Sequence, residues 1–201
     1  MKKILVTGKA DKRLVTYPLS FFANYAGKTL IVTDDVNYKR LYGGYEDEGE
    51  LDNVTIRIID QIKTNEDLSM ITNEAEGFGY DILIYILDAH TLDADFTYTF
   101  IVGQQIQTFL GVDIEEILDD TPNTMAISVT LGKRPSAPNV NTYIWTMDDF
   151  FYFSMVEEMR TLLPPKNKKL NQLLRGHICL ALDINSSAYD GIIAKAMKGR
   201  N

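Results

Sequence analysis

Apolar and polar positions along this chain alternate between two kinds of short run. Ile4, Leu5 and Val6 form an apolar stretch that stops at Thr7-Gly8, as a buried strand does on entering a turn. Thr16 or Tyr17 stands where a helix cap belongs and Pro18 suits a first turn. Leu19, Phe21, Phe22 and Tyr25 then recur at helical spacing until Gly27. Thr29 to Thr33 is again β-branched and apolar and runs into Asp34-Asp35. Strand, loop, helix and strand predict a right-handed βαβ crossover.

The same alternation continues to the end of the chain. Val54, Ile56, Ile58 and Ile59 predict a third strand ending at Asp60, and a helix follows from Asn65, with Leu68, Ile71 and Ala75 inward and Gly77 and Gly79 closing it. Tyr80 to Asp88 is the most hydrophobic strand pattern and belongs at the sheet centre, covered on both faces. Phe96 to Leu110 reads as a helix, and Asp113 to Leu118 as a short acidic one. Met125 to Leu131 and Tyr143 to Thr146 predict the fifth and sixth strands. Between Phe150 and Leu163 lies a helix whose apolar residues cover more than one face, as burial or an interface requires. Pro164-Pro165 breaks the chain, and leucines and isoleucines at helical spacing predict two closing helices. The expected fold is a three-layer α/β domain with a mostly parallel twisted sheet of about six strands. Residues 1–163 would form its body and residues 164–201 a basic helical extension packed on it.

Composition narrows the class. A chain of 201 residues, 45% hydrophobic and 24% charged, buries a proper core and is expected to form one domain. Its apolar runs fall short of the ~20 residues that span a bilayer, so a cytoplasmic location is expected. Cys179 is the sole cysteine, and with only His90 and His177 no zinc spacing assembles. The five acids of Tyr38 to Asn53 lack the order of a calcium loop, and that stretch reads as a mobile, solvated surface loop. No metal site is expected. Charge is uneven: residues 160–201 hold 8 of the 20 basic residues and 2 of the 28 acidic ones, a local balance of +6 against −14 for the rest. An acidic body repels phosphate, so membrane-surface or nucleic-acid contact is open only to the tail. Docking on the chain's own body is the preferred expectation for it.

The loop after the first strand carries the chemistry. In a βαβ unit it faces the positive end of the helix, where phosphate-binding loops of the form GxxxxGK[ST] sit. Here Gly8 is followed by Lys9, Ala10, Asp11 and Lys12, and Arg13, Leu14 and Val15 stand where Gly, Lys and Ser/Thr belong. Leu14 has no charge for a phosphate and Val15 no hydroxyl for Mg²⁺.

This opening resembles the ParA/MinD-like P-loop ATPases (SIMIBI class), which position plasmids, division sites and secretion or pilus machinery. Their pattern is a strand, KGGxGK[ST], a helix, and a strand ending in aspartate. Lys9 falls on the family's signature lysine, Leu14 on its phosphate-binding lysine and Val15 on its magnesium ligand, and Asp35 lies near its aspartate after the second strand. Asp88 would inherit the acid near the end of the central strand. The resemblance implies a Rossmann-like P-loop NTPase topology and a degenerate site at Gly8, Lys9, Lys12, Arg13 and Thr16. Asp35, Asp60 and Asp88 would border it at the carboxyl edge, unless they only cap the next helices. His90, beside Asp88, invites a general-base role but has no nucleophile in a recognisable setting.

Two functions follow. One is a non-catalytic pseudo-ATPase without a cofactor, binding a protein partner, or a second copy of itself, in a bacterial or mobile-element machine. The other is an atypical hydrolase of ATP with Mg²⁺ that uses Lys9, Lys12 or Arg13 in place of the missing lysine.

Overall fold

In the computed structural model the described residues are 1–60, 62, 64–87, 95–104, 123–130 and 140–198. The opening unit is as its pattern predicts: β1 (Lys2–Thr7), α1 (Arg13–Ala26) and β2 (Thr29–Thr33). A 3-10 turn over Val36–Tyr38, the short helix α2 (Lys39–Tyr42) and β3 (Glu48–Leu51) follow, where the sequence reads as loop. Then come β4 (Val54–Ile58), α3 (Asn65–Gly77), β5 (Ile82–Ile86), β6 (Tyr98–Gln104), β7 (Thr124–Thr130) and β8 (Asn141–Ile144). Three helices close the chain: α4 (Met147–Met159), α5 (Lys168–Leu182) and α6 (Ser186–Lys198).

All eight strands join one sheet in the order β3-β4-β2-β5-β1-β6-β7-β8, and only β3 runs antiparallel to its neighbour. β5 lies between β1 and β2, in register Ile82 to Ile86 with Lys2 to Val6 on one side and with Thr29 to Thr33 on the other. Successive residues of a strand face opposite sides, and here both sides are apolar. Ile4, Val6, Ile31, Ile82, Ile84 and Ile86 join a large core with α1, α4 and α5. Leu5, Leu30, Val32, Leu83 and Tyr85 join a smaller one with Leu68 and Ala75 of α3. Two cores separated by one sheet make the three layers.

The main departure is β6. The expected helix from Phe96 is a strand over Tyr98–Gln104, parallel to both β1 and β7, and its remainder lies outside the described residues. The pattern misleads because Thr99, a polar position, is buried along with Phe100 and Val102. A strand covered on both faces carries no alternation to distinguish it from a buried helix. β3 is missed for the opposite reason. It is an edge strand whose Glu48 and Glu50 face solvent, so its composition looks like loop.

The C-terminal helices complete the large core: Leu170, Leu174, Ile178, Ala181 and Leu182 of α5 are buried in it, and Tyr189 of α6 stacks on Phe22 of α1. A polar clamp holds α4 to α5. The buried Asp149 accepts from the Tyr143 hydroxyl at 2.8 Å and from Thr146 Oγ1 at 2.8 Å, and Asn167 Nδ2 donates to the Tyr143 hydroxyl at 2.7 Å. Among the described residues no helix is long and apolar enough to cross a membrane, and no group of His, Cys, Asp or Glu is placed to hold a metal ion.

Candidate functional site

Parallel β1 and β2 bring the loops after Thr7 and Thr33 to the same edge of the sheet. Gly8 fixes the course of the first loop. Its φ is +111°, and a Cβ there would sit 2.2 Å from the Val102 carbonyl oxygen of β6, so only glycine fits. Two residues on, Ala10 N–H donates to that same carbonyl at 3.0 Å. The loop is therefore stitched along β6 before α1 begins.

α1 starts at Arg13, earlier than Pro18 predicts, because Asp11 supplies the terminal contact. The Asp11 carboxylate accepts from Arg13 N–H at 3.1 Å and from the guanidinium of the same residue at 2.9 Å and 2.6 Å. Arg13 Nη1 donates across to Glu157 Oε1 of α4 at 2.8 Å, and the Tyr17 hydroxyl donates to that oxygen at 2.7 Å. The guanidinium also lies over the Phe153 ring, 5.0 Å from its centroid. Hydrogen bonding to Asp11 raises the Arg13 pKa above its ordinary value despite partial burial. The arginine is thus a fixed cation that ties the loop to α4.

Thr16 is buried inside α1, and its hydroxyl is 2.8 Å from that of Tyr38. Burial pushes the Tyr17 and Tyr38 phenols well above the usual tyrosine range, so both stay protonated and neither serves as a base. Asp35 accepts from Asn37 N–H at 2.9 Å and from Asn37 Nδ2 at 2.8 Å, holding the turn that carries Tyr38. These groups enclose a cleft of about 370 Å³. Four cations line it, Lys9, Lys12, Arg13 and Arg40, together with three carboxylates, Asp11, Asp35 and Glu157. Lys9 and Arg40 are exposed and form no hydrogen bond or ion pair with the described residues.

Of the residues singled out by sequence, Lys9, Lys12, Arg13 and Asp35 line this cleft, whereas Gly8 shapes the loop beneath it. Thr16 meets Tyr38 behind the cleft wall, and Asp60 is exposed beyond β4. Asp88 and His90 lie outside the described residues. Sequence reasoning misses Tyr17, Asn37, Tyr38, Arg40 and Glu157. Glu157 is 144 residues from Arg13, and no local spacing signals their meeting.

A magnesium nucleotide does not fit these residues. Leu14 and Val15, which the resemblance aligns with the phosphate and metal ligands, are both fully buried in the core and do not line the cleft. The first N–H of α1, which would face a phosphate, is occupied by the Asp11 carboxylate. A like charge about 4 Å from a phosphate costs on the order of 4 kcal/mol at an effective dielectric of about 20.

The fold is that of an α/β protein with a mostly parallel sheet flanked by helices. Among solved structures, the chain is similar to MinD in the MinC:MinD cell division protein complex of Aquifex aeolicus. The identity is 15%, covering 100% of this chain and 97% of that one, with a TM-score of 0.48. The MinD cell division protein of Aquifex aeolicus is similar at 12% identity, covering 100% and 98%, with a TM-score of 0.47. A MobB protein homolog from Bacillus stearothermophilus is similar at 10% identity, covering 80% of this chain and 99% of that one, with a TM-score of 0.42. No family model matches the sequence, and a search of curated proteins returns no match.

Proposed function

We propose that this chain is a non-catalytic protein of ParA/MinD-like kind that acts through protein contacts. It would be a cytoplasmic partner-binding or scaffold component in the positioning, partition or assembly of a bacterial or mobile-element machine. One observation carries the reading: the groups at the loop's junction with α1 are engaged by the protein itself. Asp11 fills the helix terminus, Arg13 is divided between Asp11 and Glu157, and Leu14 and Val15 are core residues. Phosphoryl transfer depends on a cation held at the phosphates and a magnesium anchor, and positions 14 and 15 supply neither.

The competing reading is the atypical hydrolase, favoured by the presence of Lys9 and Lys12 in the cleft. Phosphate release from ATP and GTP with Mg²⁺, followed beside the Lys9→Ala and Lys12→Ala variants, separates the two. The proposal expects release no faster than in buffer for all three proteins. Turnover by the native chain that either variant abolishes would establish the hydrolase instead.

A further inference from the structure

The cleft holds two cations with no structural task. Arg13 is engaged on both sides, but Lys9 on the first loop and Arg40 on α2 reach the same space from different elements without a partner among the described residues. Desolvating neither and pairing neither, the fold leaves them to an anion from outside. Lys9 and Arg40 offer two separate charges from two elements, unpaired among the described residues, which suits carboxylates spaced along a segment. Residues 1–159 carry −14, so an acidic segment is repelled by most of that body outside this cleft, and the basic tail is the competing site that the test must separate.

An aromatic cluster leads from Arg13 to the surface of α4. Arg13 lies over Phe153, whose ring meets Phe150 at 6.4 Å between centroids, and Phe150 in turn stacks on Trp145 at 5.2 Å. Phe150 is 41% exposed, an aromatic surface on the same helix that brings Glu157 to the cleft. Charged anchors beside an exposed aromatic are the composition of a peptide-docking surface.

We propose that this cleft seats an acidic segment of a partner protein, with its carboxylates on Lys9 and Arg40 and a neighbouring apolar side chain on Phe150 and Trp145. The inference rests on the partner-binding reading above and gives that partner its chemistry. Arg13 contributes by holding the loop and α4 at a fixed separation, as a positioning residue.

The test uses the full chain and short fluorescein-labelled peptides of Glu, Phe, Ser and Gly, each paired with a twin in which every Glu is Gln. Anisotropy is read at low and physiological salt, and amide NMR shifts locate the contact. The acidic peptide should bind at least about tenfold more tightly than its twin, with affinity falling as salt rises. The shifts should cluster at residues 9–13 and 36–40 and at Trp145 and Phe150. Lys9→Glu with Arg40→Glu, both at exposed positions, should keep the thermal midpoint and lose about tenfold or more in affinity. Lys168→Glu with Lys169→Glu, in the basic tail, should lose little. Equal binding of the two peptides, or loss confined to the tail variant, overturns the inference while leaving the non-catalytic reading intact. Displacement of the peptide by Mg·ATP at comparable concentration overturns both. Displacement by inorganic phosphate alone shows a small-anion site and overturns the peptide assignment.

Discussion

Arg13 distinguishes a structural tie from a phosphate ligand, and Arg13→Met is the informative change. Methionine keeps the stem and its contact with Phe153 but removes the bonds to Asp11 and Glu157. The side chains of Arg13, Asp11 and Glu157 are 31%, 28% and 16% exposed, between a surface pair and a buried one. Exposed pairs contribute roughly 0.2–1 kcal/mol and charge-assisted bonds of buried groups about 1.5–3 kcal/mol each. Glu157 retains the Tyr17 hydroxyl as a donor, so it is not orphaned. The expected loss is about 2 kcal/mol, which lowers the thermal midpoint of a domain of this size by roughly 4–8 °C. Circular dichroism during heating, with urea titration as a check, measures it. A double-mutant cycle with Glu157→Gln should return a coupling of about 1 kcal/mol that shrinks with added salt. A midpoint within about 1 °C of native, or no coupling, refutes the structural role and returns Arg13 to the pool of ligand-binding cations.

Other changes probe the same frame. Leu14→Lys supplies the lysine of the resembled GxxxxGK[ST] pattern on paper but buries a charge at a fully enclosed position, so it should cost about 4 kcal/mol or more. The triple variant Arg13→Gly, Leu14→Lys, Val15→Thr should therefore unfold at lower urea than native and still fail to bind ATP. Gly8→Ala forces a Cβ onto the Val102 carbonyl and should cost on the order of 3 kcal/mol, with faster hydrogen exchange in residues 8–13. His177 lies 63° from the Tyr98 ring and shares a hydrogen bond with its hydroxyl, and burial lowers its pKa. The unfolded chain thus binds this proton more readily, and stability present above the unfolded histidine value of about 6.5 is lost as pH falls through the folded one. His177→Gln should flatten that part of the urea midpoint against pH. Deleting residues 167–201 removes five buried α5 side chains and Tyr189 from the large core, and the truncated chain should show no cooperative unfolding by near-ultraviolet circular dichroism.

Much of this architecture is legible in the sequence, and the failures have physical causes. β1, α1, β2 and β5 declare themselves because their apolar runs end in Gly or Asp at the points where strands meet loops. β6 does not, since Thr99 is buried and the polar punctuation that separates strand from helix is missing. β3 hides as an acidic loop because its Glu48 pairs with Arg57 across the sheet edge, a partner visible only once the strands are aligned. In the cleft, the first loop is recognisable from Gly8 to Arg13 through the position of Leu14 and Val15. The opposing wall is not, because Tyr38, Arg40 and Glu157 arrive through tertiary packing of the 3-10 turn, α2 and α4. That positions 14 and 15 carry no lysine or hydroxyl is readable one residue at a time, whereas the network joining Arg13 to Asp11 and Glu157 is not.

The most direct measurement is a calorimetric titration of the full chain with Mg·ATP. A loop whose helix terminus is occupied by Asp11, and whose anchor positions are buried, should give no binding heat at micromolar nucleotide. Micromolar affinity that is abolished by Lys9→Ala would contradict the non-catalytic reading.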